Sequence, residues 1–218
     1  MGNPGAGLRR FCPGKPGRVD TWRDPQWEGH RVTPGPTHPV VAVNWQDARD
    51  YARWLTEREQ KAGKLAPGQS YRLPTDLEWS TAVGLAGETG TTPAERDMKV
   101  AGVYPWGREW PPVRGAGNFA DATYQRVFPK QPVLDGYDDD FAVTSPVGSF
   151  APLANGLQDL SGNVWEWCED TFDGDPEKRV LRGGSWLSHA PGNLLSSRRG
   201  RHPPGSRDLS VGFRLVLV

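Results

Sequence analysis

Two cysteines, four histidines and a carboxylate-rich loop are the residues of this chain that could do chemistry or hold a metal. Cys12 and Cys168 lie 156 positions apart and form no Cys-x-x-Cys pair. They read as two ordinary thiols, or as one disulfide tying an N-terminal arm to the core. His30, His38, His189 and His202 show no paired-ligand spacing and read as surface or loop residues. A Gly-x-Ser-x-Gly elbow, a Walker loop and a His-Glu-x-x-His helix are all missing. The oxygen donors say more. Alternate residues of an extended strand face one side, so Gly162, Val164 and Glu166 share a direction. Two main-chain carbonyls and the carboxylates of Glu166 and Asp159 would then converge on one hard cation, and calcium prefers that all-oxygen set. The competing reading pairs Glu166 with an arginine and leaves Asp138 to Asp140 solvated.

Such groups need elements to position them. Val40 to Val43 reads as a short buried strand. Asn44 and Asp47 form a short capping box, and Trp45, Ala48, Tyr51, Ala52 and Leu55 make one apolar helix stripe to about Gln60. Tyr71 to Pro74 is extended, and Thr75 with Glu78 opens a second helix through about Val83. No helix is expected from Gly84 to about Phe141, a long loop region that needs a clamp such as a metal. Short strands are expected at 145–150, 163–170, 179–186 and 211–218. Early helices and late antiparallel strands define an α+β domain. Residues 1–37 form a loop-like arm rich in Gly and Pro, and 38–218 form the domain.

Composition narrows the function. With 26 basic and 26 acidic residues the chain has no net charge, which argues against nucleic acid as partner. No apolar run is long enough to span a membrane. The first twenty residues lack an apolar signal core, so the expected location is cytoplasmic or phage- or virion-associated. Ten tryptophans must sit in a core or on a binding face.

Six strings occur in order: HPVVAVNWQDARDYARWL (38–55), YRLPTDLEWSTA (71–82), YPWG (104–107), PVGSFAPLANGLQDLSGNVWEWCED (146–170), RVLRGGSW (179–186) and VGFRL (211–215). Together they resemble the formylglycine-generating-enzyme-like domain, a branch of the C-type lectin fold, over roughly residues 30 to 218. The resemblance implies two helices, short strands and long loops. It also matches Asp159, Gly162, Val164 and Glu166 to a calcium site of those enzymes. A second calcium site is implied at Asn118, Phe119, Asp135 and the carbonyl of Tyr137. Either ion would be structural. The strand-rich opening segment usual in the family, with its Met-Gly turn, does not appear here.

The family's enzymes oxidise a substrate cysteine to formylglycine and carry a reactive Cys pair between the Gly-Gly-Ser and Gly-Phe-Arg motifs. Here that interval contains no cysteine. His189 and His202 are poor substitutes for the thiolates that a soft Cu(I) ion needs, so an oxidase is disfavoured. The sulfoxide synthases of the same fold take iron from a His triad on a helical domain that this sequence does not show.

Residues 187–210 hold no aromatic residue although 22 occur elsewhere. Small, polar and basic residues alternate there with fixed-looking Ser196, Arg201, Pro204 and Arg207. The pattern resembles the variable region of diversity-generating-retroelement proteins, whose Asn-rich template is copied with errors at adenines. Leu187, Ser188, His189, Gly192, Asn193, Gly200, His202, Pro203, Ser206, Asp208, Leu209 and Ser210 are each reachable from an AAC codon through its adenines alone. Ala190-Pro191 interrupts the pattern. The expected function is therefore a non-catalytic protein that presents diversified side chains to a protein or other macromolecular ligand. The competing reading is a fixed, non-catalytic paralogue in which Arg198, Arg199, Arg201 and Arg207 are solvated charge.

Overall fold

The computed structural model describes residues 22–218. In chain order come β1 (Gln26–Trp27), β2 (His30–Arg31), α1 (Trp45–Lys61), β3 (Tyr71–Arg72), α2 (Asp76–Ala82), α3 (Pro93–Arg96) and α4 (Ala122–Val127). They are followed by β4 (Trp165–Thr171), β5 (Arg179–Arg182), β6 (Gly200–His202), β7 (Val211–Gly212) and β8 (Val216–Leu217). A four-stranded sheet of order β6-β5-β4-β7 is the platform, with β1-β2 and β3-β8 as separate two-stranded ladders. Its pairs are antiparallel except β4 with β7, which is parallel.

Both expected capping boxes form. The Asn44 side chain accepts from Asp47 N while the Asp47 carboxylate accepts from Asn44 N, and Thr75 and Glu78 do the same for α2. These satisfy amides that each first helical turn leaves without partners. Five expectations fail. Residues 211–218 are not one strand but β7 and β8, which belong to different sheets. Val41, Ala42 and Val43 are buried but not a strand, because Ala42 takes a left-handed φ of 56° that bends the extended run. The region from 84 to 141 does hold helices: Thr92 and Glu95 close a capping box with Pro93 at the start of α3, and Asp121 caps Tyr124 N in α4. Residues 145–150 are loop. The loop-like arm carries the β1-β2 ladder, and Cys12 lies outside the described residues.

Tryptophan bolts the layers together. Trp79, Trp167 and Trp186 are fully buried, and their indole N–H groups find distant acceptors. Trp167 donates to Val43 O at 3.0 Å, Trp45 to Cys168 O at 3.0 Å and Trp79 to Glu166 Oε2 at 2.9 Å. Two of these bonds tie β4 to the helices α1 and α2, and that of Trp167 ties it to the loop that enters α1. Cys168, on β4, is fully buried and free, and burial raises its thiol well above its ordinary value. Thiolate chemistry is thereby suppressed.

Candidate functional site

After β5 the chain turns through Gly183 and Gly184 with φ of 98° and 75°. A Cβ at Gly184 would stand 2.9 Å from Leu194 Cδ2, so glycine is required for both conformation and space. Trp186 then plugs the core, with its N–H on Asn163 O at 2.9 Å and its indole on Leu209 O at 3.3 Å. From there to residue 210 the main chain is clamped at intervals. Ser188 Oγ accepts from Ser185 N at 3.0 Å, and Ser188 O accepts from Ala120 N at 3.1 Å. Gly200 lies in the ladder opposite Leu181, where an added Cβ would be 3.2 Å from the Leu181 Cβ. Trp45 N donates to Pro204 O at 3.1 Å, and Arg207 pairs with Asp47 and donates to Ala42 O. Asp208 Oδ1 accepts from both Ser210 N and Ser210 Oγ, at 2.7 and 2.6 Å.

The twelve candidate binding positions therefore divide. Ser188, Gly200, Asp208 and Ser210 hold the backbone. Leu187 and Leu209, half-buried, each pack on the cluster around Trp186, and Asn193 O and Ser188 Oγ both lie near Gly184. His189, Gly192, Asn193, His202 and Ser206 are half-buried and Pro203 is exposed. His202 and Pro203 follow β6, and Ser206 N closes a turn onto Pro203 O at 2.9 Å.

Three of the four arginines of this interval are paired rather than solvated. Arg199 is fully buried against Asp76, at 3.0 Å, and Glu88. Arg198 pairs with Asp97 at 2.8 Å. Arg201 is exposed, its guanidinium 4.7 Å from the centre of the Phe172 ring. Three of the four charges are answered internally, so the interval offers little net attraction to an acidic partner.

The two candidate cation sites differ in what occupies them. At the first, Arg214 donates to both Glu166 oxygens at 2.6 Å and to Asp159 O at 2.9 Å. The guanidinium thus fills the space between Glu166 and Asp159 with positive charge, which opposes a cation there. Asp159 Oδ2 accepts from Gly148 N, whereas its Oδ1 is buried without a partner. Burial, ahead of the effect of Arg214, leaves the Asp159 carboxyl above its ordinary value. Gly162 touches the second site instead: a Cβ there would be 2.1 Å from Asn118 O. Val164 is buried in the Trp186 cluster.

At the second site Asn118, Phe119 and Tyr137 are buried, but Asp135 is exposed, and the Tyr137 carbonyl accepts from Ala122 N at 3.3 Å. Two other carboxylates arrive. Asp139 Oδ2 accepts from Phe119 N at 2.7 Å, and Asp139 N donates to Asp121 Oδ2. Asn118 Oδ1, on the residue before Phe119, is buried with no partner. Burial and the charge of Asp121 push Asp139 up to about 8, and burial raises Asp121 too. Two buried carboxylates without a basic partner call for a proton or a cation. The signal for Asp139 was present but masked: Asp-Gly-Tyr at 135–137 is followed by Asp139-Asp140-Phe141, where Asp140 takes a glycine-like φ of 72°. Among the described residues no three His, Cys, Asp or Glu side chains gather into a metal cluster, so such a site leans on amide and carbonyl oxygens.

A mixed sheet with two main helices, long clamped loops and a Trp-bolted core defines a C-type lectin-like fold of the formylglycine-generating-enzyme branch. Residues 17–218 match the sulfatase-modifying factor enzyme 1-like domain, and the chain belongs to that family. It is 34% identical over 213 residues to the formylglycine-generating enzyme of Thermomonospora curvata, covering 88% of this chain and 60% of that one. It is 36% identical over 202 residues to the inactive C-alpha-formylglycine-generating enzyme 2 of Bos taurus, covering 88% of this chain and 54% of that one. The chain thus spans little more than half the length of these curated relatives. The solved structure of PvdO from Pseudomonas aeruginosa superposes with a TM-score of 0.55 at 26% identity, over 83% of this chain and 62% of that one. Among the described residues no helix is long and apolar enough to cross a membrane.

Proposed function

We propose that this chain is a non-catalytic member of the family that binds a protein or other macromolecular ligand through the surface of residues 187–210. One observation supports the reading above others. The interval between Gly184 and Gly212 carries no cysteine, yet its backbone is fixed by Ser188, Arg199, Arg207 and Asp208. Fixed backbone with replaceable side chains is what a diversified binding surface needs. The eight positions best suited to vary are Leu187, His189, Gly192, Asn193, His202, Pro203, Ser206 and Leu209. The inactive mammalian relative favours the second reading, a non-catalytic paralogue with one fixed partner.

Calcium belongs to the proposal as a structural ion. Asn118 Oδ1 and the Asp139 carboxylate, beside Asp121, would hold it and would lose their burial penalty on binding. The Asp159 and Glu166 pair, already holding Arg214, is the poorer fit.

The experiment has two arms. Purified protein is incubated with Cu(I), oxygen and a cysteine-containing sulfatase peptide, and aldehyde is sought by mass spectrometry; none is expected, and turnover would overturn the non-catalytic reading. A library randomised at the eight positions is compared with one randomised at Ser188, Arg199, Arg207 and Asp208. Most members of the first should unfold cooperatively near the parent temperature and most of the second should not. Equal damage in both would remove the case for a diversified surface.

A further inference from the structure

We propose that the cavity between α1 and β3 is a binding site for a small organic carboxylate with an apolar body. Its volume is about 330 Å³, within the range of small-molecule pockets. Arg49, Ala52, Arg53 and Thr56 line it from successive turns of α1, and Ser70 to Leu73 form the opposite wall. Ala52 and Leu73 are buried and make an apolar floor. Three arginines stand around that floor, with Glu169 as the carboxylate of the wall.

The arginines differ in how firmly they are held. Arg72 is locked by a two-fold hydrogen bond to Glu78 at 2.6 and 2.7 Å. Arg49 and Arg53 make single contacts, 3.3 Å to Glu169 and 3.2 Å to Asp50, with side chains 42% and 62% exposed. Exposed pairs of that length contribute little, so an incoming carboxylate can take over their N–H groups. Arg49 is also oriented by stacking, its guanidinium 4.5 Å from the Trp45 ring centre. A planar fork over an apolar floor suits a carboxylate joined to a flat or aliphatic body. None of the residues that line the cavity belongs to the 187–210 interval, so the assignment does not rest on that surface.

Benzoate is the probe, titrated at constant ionic strength, with benzamide as its neutral match and inorganic phosphate as an anion lacking the apolar body. The indole resonance of Trp45 reports binding, because Arg49 lies over that ring. Benzoate should give a saturable shift, with benzamide and phosphate each at least about tenfold weaker. Arg49→Gln with Arg53→Gln should weaken benzoate by a similar factor at unchanged unfolding temperature. Arg53→Gln alone, at the exposed rim, should weaken it less and guards against a folding defect in the double variant. Absence of a saturable shift, equal binding of benzamide or phosphate, or full affinity in the folded double variant would overturn the assignment.

Discussion

Asp76 has no exposed surface and touches three guanidinium groups, those of Arg96, Arg182 and Arg199. Burial alone would raise its carboxyl, but Arg182 and Arg199 outweigh that effect and hold it below its ordinary value of 3.8. With the folded value depressed, the stabilisation is complete above the unfolded value and drains away as pH falls through the folded one. Asp76→Asn should cost about 3–5 kcal/mol at pH 7, because Arg182 stays buried without its countercharge and Arg199 keeps only Glu88. In urea unfolding at pH 7 and at pH 3, the gap between wild type and variant should narrow at the lower pH. A constant gap would refute this role for the carboxylate. None of this was legible beforehand: Arg199 reads in sequence as one of a run of basic residues, and its partner lies 123 positions away. The buried Trp79, Trp167 and Trp186, by contrast, are what the high tryptophan count implied.

At the scale of elements, local rules were readable and non-local ones were not. The caps of α1 and α2 depend on residues three apart, so sequence alone located both helices to within a residue or two. Asn44→Ala should cost about 1 kcal/mol by removing an N-cap acceptor, seen as a lower urea midpoint with an unchanged slope; no change would mean that Asp47 alone secures the first turn. β6 escaped notice because Gly200–His202 has no alternation, and its pairing is dictated by β5. Val40 to Val43 has the composition of a strand but is bent at Ala42, where Asp208 O accepts its N–H and Arg207 donates to its carbonyl. Gly162→Ala should prevent folding: its φ is 71°, and the new Cβ would overlap Asn118 O. Soluble, cooperatively unfolding protein from that variant would mean that the Asn118 loop can withdraw.

Over the whole molecule, the sheet and tryptophan bolts form a rigid frame on which two loop systems rest, one at Asn118 to Asp139 and one at 187–210. If calcium neutralises the carboxylates of Asp121 and Asp139, adding it should raise the unfolding temperature more at pH 8 than at pH 5, where protons compete. At a hundredfold excess over Kd the gain is about 2.7 kcal/mol, or roughly 5–10 °C for a chain of this size. Asp139→Asn should abolish the shift, while Asp135→Asn should leave it intact; the reverse pattern would return the site to Asp135. The motifs made the fold legible, but the candidate cation site was only half so, because two Asp-x-aromatic strings compete within seven residues and only burial tells them apart.

The most direct measurement is of DNA: sequencing codons 187–210 in independent isolates together with the few kilobases downstream of the gene. Diversified binding predicts substitutions concentrated at Leu187, His189, Gly192, Asn193, His202, Pro203, Ser206 and Leu209, opposite adenines of a near-copy that lies beside a reverse transcriptase. Invariant codons and no near-copy would contradict it, leaving a relative of the formylglycine-generating enzymes with a fixed surface at 187–210.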